Sequence, residues 1–176
     1  NYTRPEIEQL IFSPKEKNAN IEKTLYLTRR RIENKIKSLN ISNFYICSLS
    51  SEVIVYKGMF LAEQLSSFYP DLLDPDFKSK FAVYHQRYST NTFPTWSLAQ
   101  PFRVLAHNGE INTLKGNLNW MKAHETIITD DFFGDRVEDL KPILDSDASD
   151  SASLDAAFEI LLQTDRSLPM TKSMII

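Results

Sequence analysis

Arg87, the triplet His107-Asn108-Gly109 and Asp150 are the residues of this sequence whose types and settings could do chemistry. Arg87 follows the apolar run Phe81-Ala82-Val83-Tyr84 and precedes Tyr88-Ser89-Thr90. A guanidinium at a strand end can hold a carboxylate through two parallel hydrogen bonds, or it can serve in a surface ion pair. Asn108 and Gly109 come just after Val104-Leu105-Ala106. A strand ending in Asn-Gly presents a side-chain amide beside an unobstructed backbone N–H, the donor pair of an oxyanion hole. The same dipeptide is also a strong hairpin-turn signal. Asp150 lies in Ser149-Asp150-Ser151, ahead of an amphipathic run. A carboxylate there can bind a substrate ammonium or satisfy the free donors of a helix start.

Other chemistries find less support. His85, His107 and His124 lack ligand spacing, and no Cys or acidic cluster accompanies them, so no metal is expected. Cys47, between Ile46 and Ser48-Leu49, reads as a buried inert thiol. No Ser-His-Asp or Cys-His arrangement follows from the spacing. With four Gly in the chain, no phosphate-cradling glycine loop exists. The 176 residues suffice for one domain with a real core; they are 42% hydrophobic and 24% charged, with a net charge of −3. Arg29-Arg30-Arg31 falls in a helical pattern and reads as a solvated face, so no nucleic-acid partner is expected. No apolar stretch approaches the roughly 20 residues of a membrane span, and no signal peptide is visible. A single Cys excludes an internal disulfide and suits a reducing compartment.

The elements that must position these residues can be read from periodicity. Ile21, Leu25, Ile32, Ile36 and Leu39 define one face of a long charged helix over residues 20–39, followed by a turn at 40–43. The β-rich runs 44–49 and 53–56 suggest a hairpin. A short helix with Leu61, Leu65 and Phe68 follows, then a Pro-rich loop. Residues 81–88 and 103–107 are further strand candidates. Asn112 can cap a helix bearing Leu114, Leu118 and Met121, and a last helix should begin near Ser149–Ser151 with Leu154, Phe158, Leu161 and Leu162 inward. Strands come as neighbours, not separated regularly by helices, which favours an antiparallel α+β layer fold over a Rossmann type.

The blocks HQRYSTNTFPTW and AHNGEINTLKGNLNWM resemble the class II glutamine amidotransferase domain of glutamate synthases. FYICSLSSEVIVYKGMFLAEQLSSFYPDL upstream and SDSASLDAAFEILL downstream resemble the same family, so the likeness covers most of residues 20–170. His-x-Arg-Tyr-Ser-Thr marks amidotransferases with an N-terminal nucleophile in general; HNGEIN with the following TLKGNLNWM narrows the likeness to glutamate synthase. The resemblance implies an N-terminal-nucleophile hydrolase sandwich, two stacked, mainly antiparallel sheets between helical layers, with residues 1–176 as part of a single such domain. It implies that Arg87 holds the α-carboxylate of glutamine with Thr90 beside it. Asn108 and Gly109 would stabilise the tetrahedral oxyanion, and Asp150 would pair with the α-ammonium. Ser89–Trp96 resembles the loop that closes over glutamine.

The implied nucleophile is a Cys at the mature N-terminus, whose own α-amino group acts as base. Residue 1 here is Asn, and Cys47, being internal, has no free α-amino group. The chain is therefore expected to be a piece of a longer polypeptide, incomplete in fold and inactive alone. The resemblance implies no cofactor in this chain, and FMN and an iron–sulfur cluster in the full enzyme, where ammonia is added to 2-oxoglutarate. It implies the remaining domains as partners, with ferredoxin or an NADPH-oxidising subunit as electron source, in cytoplasm or plastid stroma. Two other readings stand beside it: another N-terminal-nucleophile amidotransferase, against which residues 110–121 speak, and a non-catalytic glutamine-binding or interaction module.

Overall fold

The computed structural model describes residues 4–15, 20–86, 93–107, 111, 114–128, 130–145 and 148–175. Its elements are helices: α1 (Ile21–Ser38), α2 (Leu65–Phe68), α3 (Leu114–Glu125), α4 (Asp130–Phe133), α5 (Asp150–Leu162) and α6 (Leu168–Ile175). Three 3₁₀ segments, Ala62–Gln64, Pro70–Leu73 and Gly134–Leu140, connect them.

α1 forms where the periodic face was read, and Asn40 (φ 54°) and Asn43 (φ 64°) make the turn behind it. Its buried stripe is Leu25, Tyr26, Leu27 and Arg29; Ile32 and Leu39 face outward. α1 packs against Gly134–Leu140, and α5 packs against α3 and α6. The core gathers Tyr26, Leu27, Phe133, Leu140, Ile143, Leu144 and Ile160, with Leu118, Met121 and Ile128 at its margin. Each such apolar side chain taken out of water contributes about 1.5–3 kcal/mol.

A second cluster is aromatic. Tyr69 meets Tyr56 edge-on at 4.8 Å and Phe68 at 4.9 Å, and Phe60 and Trp96 close the group. Gly58 is needed here. A Cβ on it would lie 2.3 Å from the Phe60 ring and 2.6 Å from Trp96, far inside contact distance.

The two-sheet sandwich expected from the sequence is overturned: no strand occurs among the described residues. The β-rich runs are there, but their backbone groups are bonded elsewhere. Val55 N–H donates to the Ser48 hydroxyl at 3.2 Å, and Glu52 and Val53 donate to Ser50. The N–H groups of Arg103, Val104 and Leu105 all turn to the Asp155 carboxylate. Phe81, Val83 and Tyr84 stand exposed. β-propensity measures how well a side chain suits a pleated, half-buried surface. It does not supply the neighbouring strand on which a ladder depends.

Candidate functional site

Of the side chains singled out in the sequence, Asp150 is described. Arg87, Thr90, Asn108, Gly109 and the helix cap Asn112 lie outside the described residues. Asp150 is the first residue of α5, and Ser149 is its N-cap, accepting from Ala152 N–H at 3.2 Å. This is the start the sequence suggested, where a hydroxyl takes up a donor that the helix cannot. Both oxygens of Asp150 are engaged: Oδ1 accepts from Ser151 N–H at 2.8 Å, and Oδ2 from Ile111 N–H at 3.2 Å. Asp150 thus caps its own helix and also reaches the chain just past Gly109. An ionised carboxylate has about four lone-pair directions. Two backbone bonds leave capacity for a cation.

The approach to Asn108 from the other side is held more firmly. Phe102 N–H donates to Leu105 O at 2.8 Å, closing a tight turn after Pro101. Asp155, on α5, accepts from Val104 N–H at 2.8 Å, Leu105 N–H at 2.9 Å and Arg103 N–H at 3.3 Å. Asp155 is 2% exposed, so burial pushes its carboxyl upward, while the bonds from Val104, Arg103 and Leu105 and the Arg103 charge pull against it. Gln100 bonds His107 twice: Nε2 donates to His107 O at 2.7 Å, and Oε1 accepts from His107 N–H at 2.6 Å. The chain entering and leaving residues 108–110 is therefore fixed, by Gln100 before and by Asp150 after.

Beneath this lies a buried ionic network. Arg29 pairs with Glu33 at 2.9 Å and with Glu159 at 2.8 Å; Arg103 pairs with Glu33 at 3.2 Å and approaches Glu159 at 3.8 Å. Burial raises Glu33, but Arg29, Arg103 and Arg30 outweigh it and hold the carboxyl below its ordinary value. For Glu159, deeper in the protein, burial wins over Arg29 and Arg103 and the carboxyl is raised. Arg103 also lies over the Tyr45 ring at 4.8 Å. The Arg29-Arg30-Arg31 triplet, expected as a solvated face, is divided: Arg29 is buried in this network, Arg30 bonds Glu33 and the carbonyls of Leu140 and Pro142, and Arg31 is exposed.

The aromatic cluster anchors Trp96, the end of the stretch expected to close over glutamine; residues 89–92 of that stretch lie outside the described residues. Lys57 holds the next residue, donating to Ser97 O at 2.7 Å with its ammonium 4.1 Å above the Tyr45 ring. Burial pushes the Lys57 amine down to about 8. Burial pushes the Cys47 thiol up, and the nearby Lys57 and Arg103 charges only partly oppose it. A thiol held protonated is a poor nucleophile.

The sequence did not point to Gln100, Asp155, Lys57 or the Arg29–Glu159 network. One signal was available. Ser151, Ser153, Asp155 and Glu159 form a polar stripe along α5, and that stripe is buried. The apolar residues Leu154, Phe158, Leu161 and Leu162, expected inward, are only half-buried. A cavity of about 440 Å³ opens over α3 beside Gly116, Asn119, Trp120 and Ala123. Among the described residues no cluster of three or more His, Cys, Asp or Glu could hold a metal, and no helix is long and apolar enough to cross a membrane.

Comparison with known proteins gives this arrangement its context. The chain is 60% identical to the glutamate synthase [NADPH] large chain of Azospirillum brasilense, an alignment covering 100% of this chain and 12% of that protein. It is 50% identical to the chloroplastic ferredoxin-dependent glutamate synthase of Oryza sativa subsp. japonica, over 94% of this chain and 10% of that one. It is 48% identical to the glutamate synthase [NADPH] large chain of Bacillus subtilis, over 90% of this chain and 10% of that one. The chain thus spans about a tenth of the length of these relatives. The family described as Glutamine amidotransferases class-II matches residues 1–176, the whole chain, and the protein belongs to that family.

Proposed function

We propose that this chain is the glutamine-hydrolysing domain of a glutamate synthase, with residues 1–176 belonging to one such domain. The observation that carries the reading is the Asp150–Ile111 bond at 3.2 Å. It ties the carboxylate suited to an ammonium to the segment suited to an oxyanion, in a chain similar to glutamate synthases along its full length. In this reading Arg87 clamps the α-carboxylate of glutamine, with Thr90 beside it, and Asp150 takes the α-ammonium. The side-chain carbonyl is then directed to the Asn108 amide and the Gly109 N–H. The thiolate of the N-terminal Cys of the family attacks that carbonyl, and the negative charge moves onto the oxygen between the two donors. Collapse breaks the C–N bond, and the α-amino group returns the thiol proton to the departing nitrogen, releasing ammonia. Water then hydrolyses the thioester to glutamate. Cys47, internal and held protonated, takes no part.

The ammonia would be used elsewhere in the polypeptide to make glutamate from 2-oxoglutarate, with electrons from ferredoxin or NADPH, in the bacterial cytoplasm or the plastid stroma. FMN and an iron–sulfur cluster would belong to those other domains. Clusters are held by several Cys thiolates, and this chain has one Cys.

Asn108→Ala in the full-length enzyme tests the reading. It should lower kcat for glutamine hydrolysis by roughly 10²–10³ with little change in glutamine affinity, because the charge exists only in the transition state. A variant that loses thermal stability and keeps its kcat would mean that Asn108-Gly109 is simply a turn.

A further inference from the structure

α3 carries two apolar faces where a surface helix needs one. Leu118 and Met121 lie against the core, and the Glu125 carboxylate accepts from Ile143 N–H at 2.6 Å, so this side of the helix is fixed to the rest of the chain. On the opposite side, residues 116, 120, 123 and 127 follow one another at three- and four-residue steps, forming a stripe down the helix and the turn after it. Trp120 stands 71% exposed and Ile127 66% exposed. Gly116 and Ala123, one turn before and one turn after Trp120, are small, and with Asn119 and the indole they line the cavity of about 440 Å³. A glycine inside a helix weakens it; what it offers in return is close approach by another chain. Small residues around one large aromatic make the composition of an interface centre, where tryptophan is enriched. The stripe also has a charged edge. Lys115 and Lys122, two turns apart and both exposed, flank it on one side, and neither forms an ion pair with a described residue.

We propose that this face of α3 docks a segment of the same polypeptide from outside residues 1–176, one that lays an apolar side chain against Trp120 and turns carboxylates toward Lys115 and Lys122. This rests on the reading of the chain as one domain of a glutamate synthase. Two observations choose the occupant. The chain spans about a tenth of the length of its relatives, so most surfaces able to cover it belong to the same polypeptide, where tethering keeps them at high effective concentration. The lysine edge then fixes the chemistry: a basic segment is repelled, and an acidic one gains two charge pairs at the rim. A second copy suits the face poorly, since a two-fold contact sets the same patch against itself and would gather four lysines around two tryptophans.

The test uses the full-length enzyme in two measurements. Hydroxyl-radical footprinting compares the oxidation rate of Trp120 in the folded enzyme with that in urea. A docked segment excludes water from the indole and should slow oxidation at least about fivefold; weaker protection overturns the proposal. A carbodiimide, which joins an amine directly to a carboxylate in contact with it, then identifies the occupant. Peptides from the single-chain band of a denaturing gel should link Lys115 or Lys122 to an Asp or Glu outside residues 1–176. Links found only in a double-length band would mean a second copy. Those outcomes, links confined to residues 1–176, links only to another subunit, and no link at all each overturn the proposal. Asn108→Ala tests the function separately. A full kcat in that variant fails the reading of the oxyanion pair whatever the footprint shows, whereas an oxidisable Trp120 in an enzyme that Asn108→Ala impairs fails the docking alone.

Discussion

Lys57 carries its charge into a setting that resists it, and the consequence can be measured. The amine is pushed from 10.5 to about 8 by burial, so between those values the unfolded chain binds a proton that the folded chain does not. Stability therefore rises with pH across that window. Cys47 and the buried tyrosines are pushed upward and act in the opposite sense at higher pH. From about pH 7.5 to about pH 9 the urea stability of the native chain should gain on that of Lys57→Met; a pH-independent difference would refute the assignment. Arg87→Lys in the full enzyme keeps the charge and loses the fork. It should raise the glutamine KM roughly 10–100-fold, and a glutamine mimic without the α-carboxylate should be much less affected. Equal loss for both compounds would remove the carboxylate role. Residues were legible at this scale where their type alone implied a task, as for Asp150 at a helix start. Gln100 gave no signal, because a glutamine becomes a clamp only when a turn folds its target back onto it.

Among elements, the three longest helices were legible; α4 and α6 were not, and the expected strands do not occur among the described residues. α1, α3 and α5 appear within a residue or two of where periodicity and capping set them, because their hydrogen bonds close within the segment. Residues 44–49, 53–56 and 103–107 have strand-like composition, but the N–H groups of Val53, Val55 and residues 103–105 went to the side chains of Ser50, Ser48 and Asp155. No local pattern encodes which partner a segment will meet. α5 shows the limit within a helix. Its boundary was readable, but its buried side was not, because the polar stripe goes inward to meet Arg29, Arg103 and the 103–105 backbone. Ser149→Ala should lower stability by about 1 kcal/mol in urea unfolding, through the lost cap. A change below a few tenths would show that the Asp150 carboxylate alone suffices to cap α5.

For the whole molecule, the buried charges join what the apolar core does not. The core ties α1 to the Gly134–Leu140 segment; the Arg29–Glu159 and Arg103–Glu33 pairs tie α1 to α5 and to the turn that leads to Asn108. Glu159→Ala would leave Arg29 and Arg103 short of a buried counter-charge and should cost about 3–5 kcal/mol in thermal or urea unfolding. A loss under about 1 kcal/mol would mean that Glu33 alone satisfies both arginines. The same pair has a consequence in time. Arg29 and Glu159 are 130 residues apart. At roughly 5–20 residues per second of synthesis, α1 waits roughly 6–26 s for its partner to leave the ribosome. For most of that interval Tyr26 and Leu27 lack Phe133 and Leu140, and Arg29 has only Glu33 of its two carboxylates, so the nascent chain passes through a stage that needs shelter before α1 and α5 can be joined.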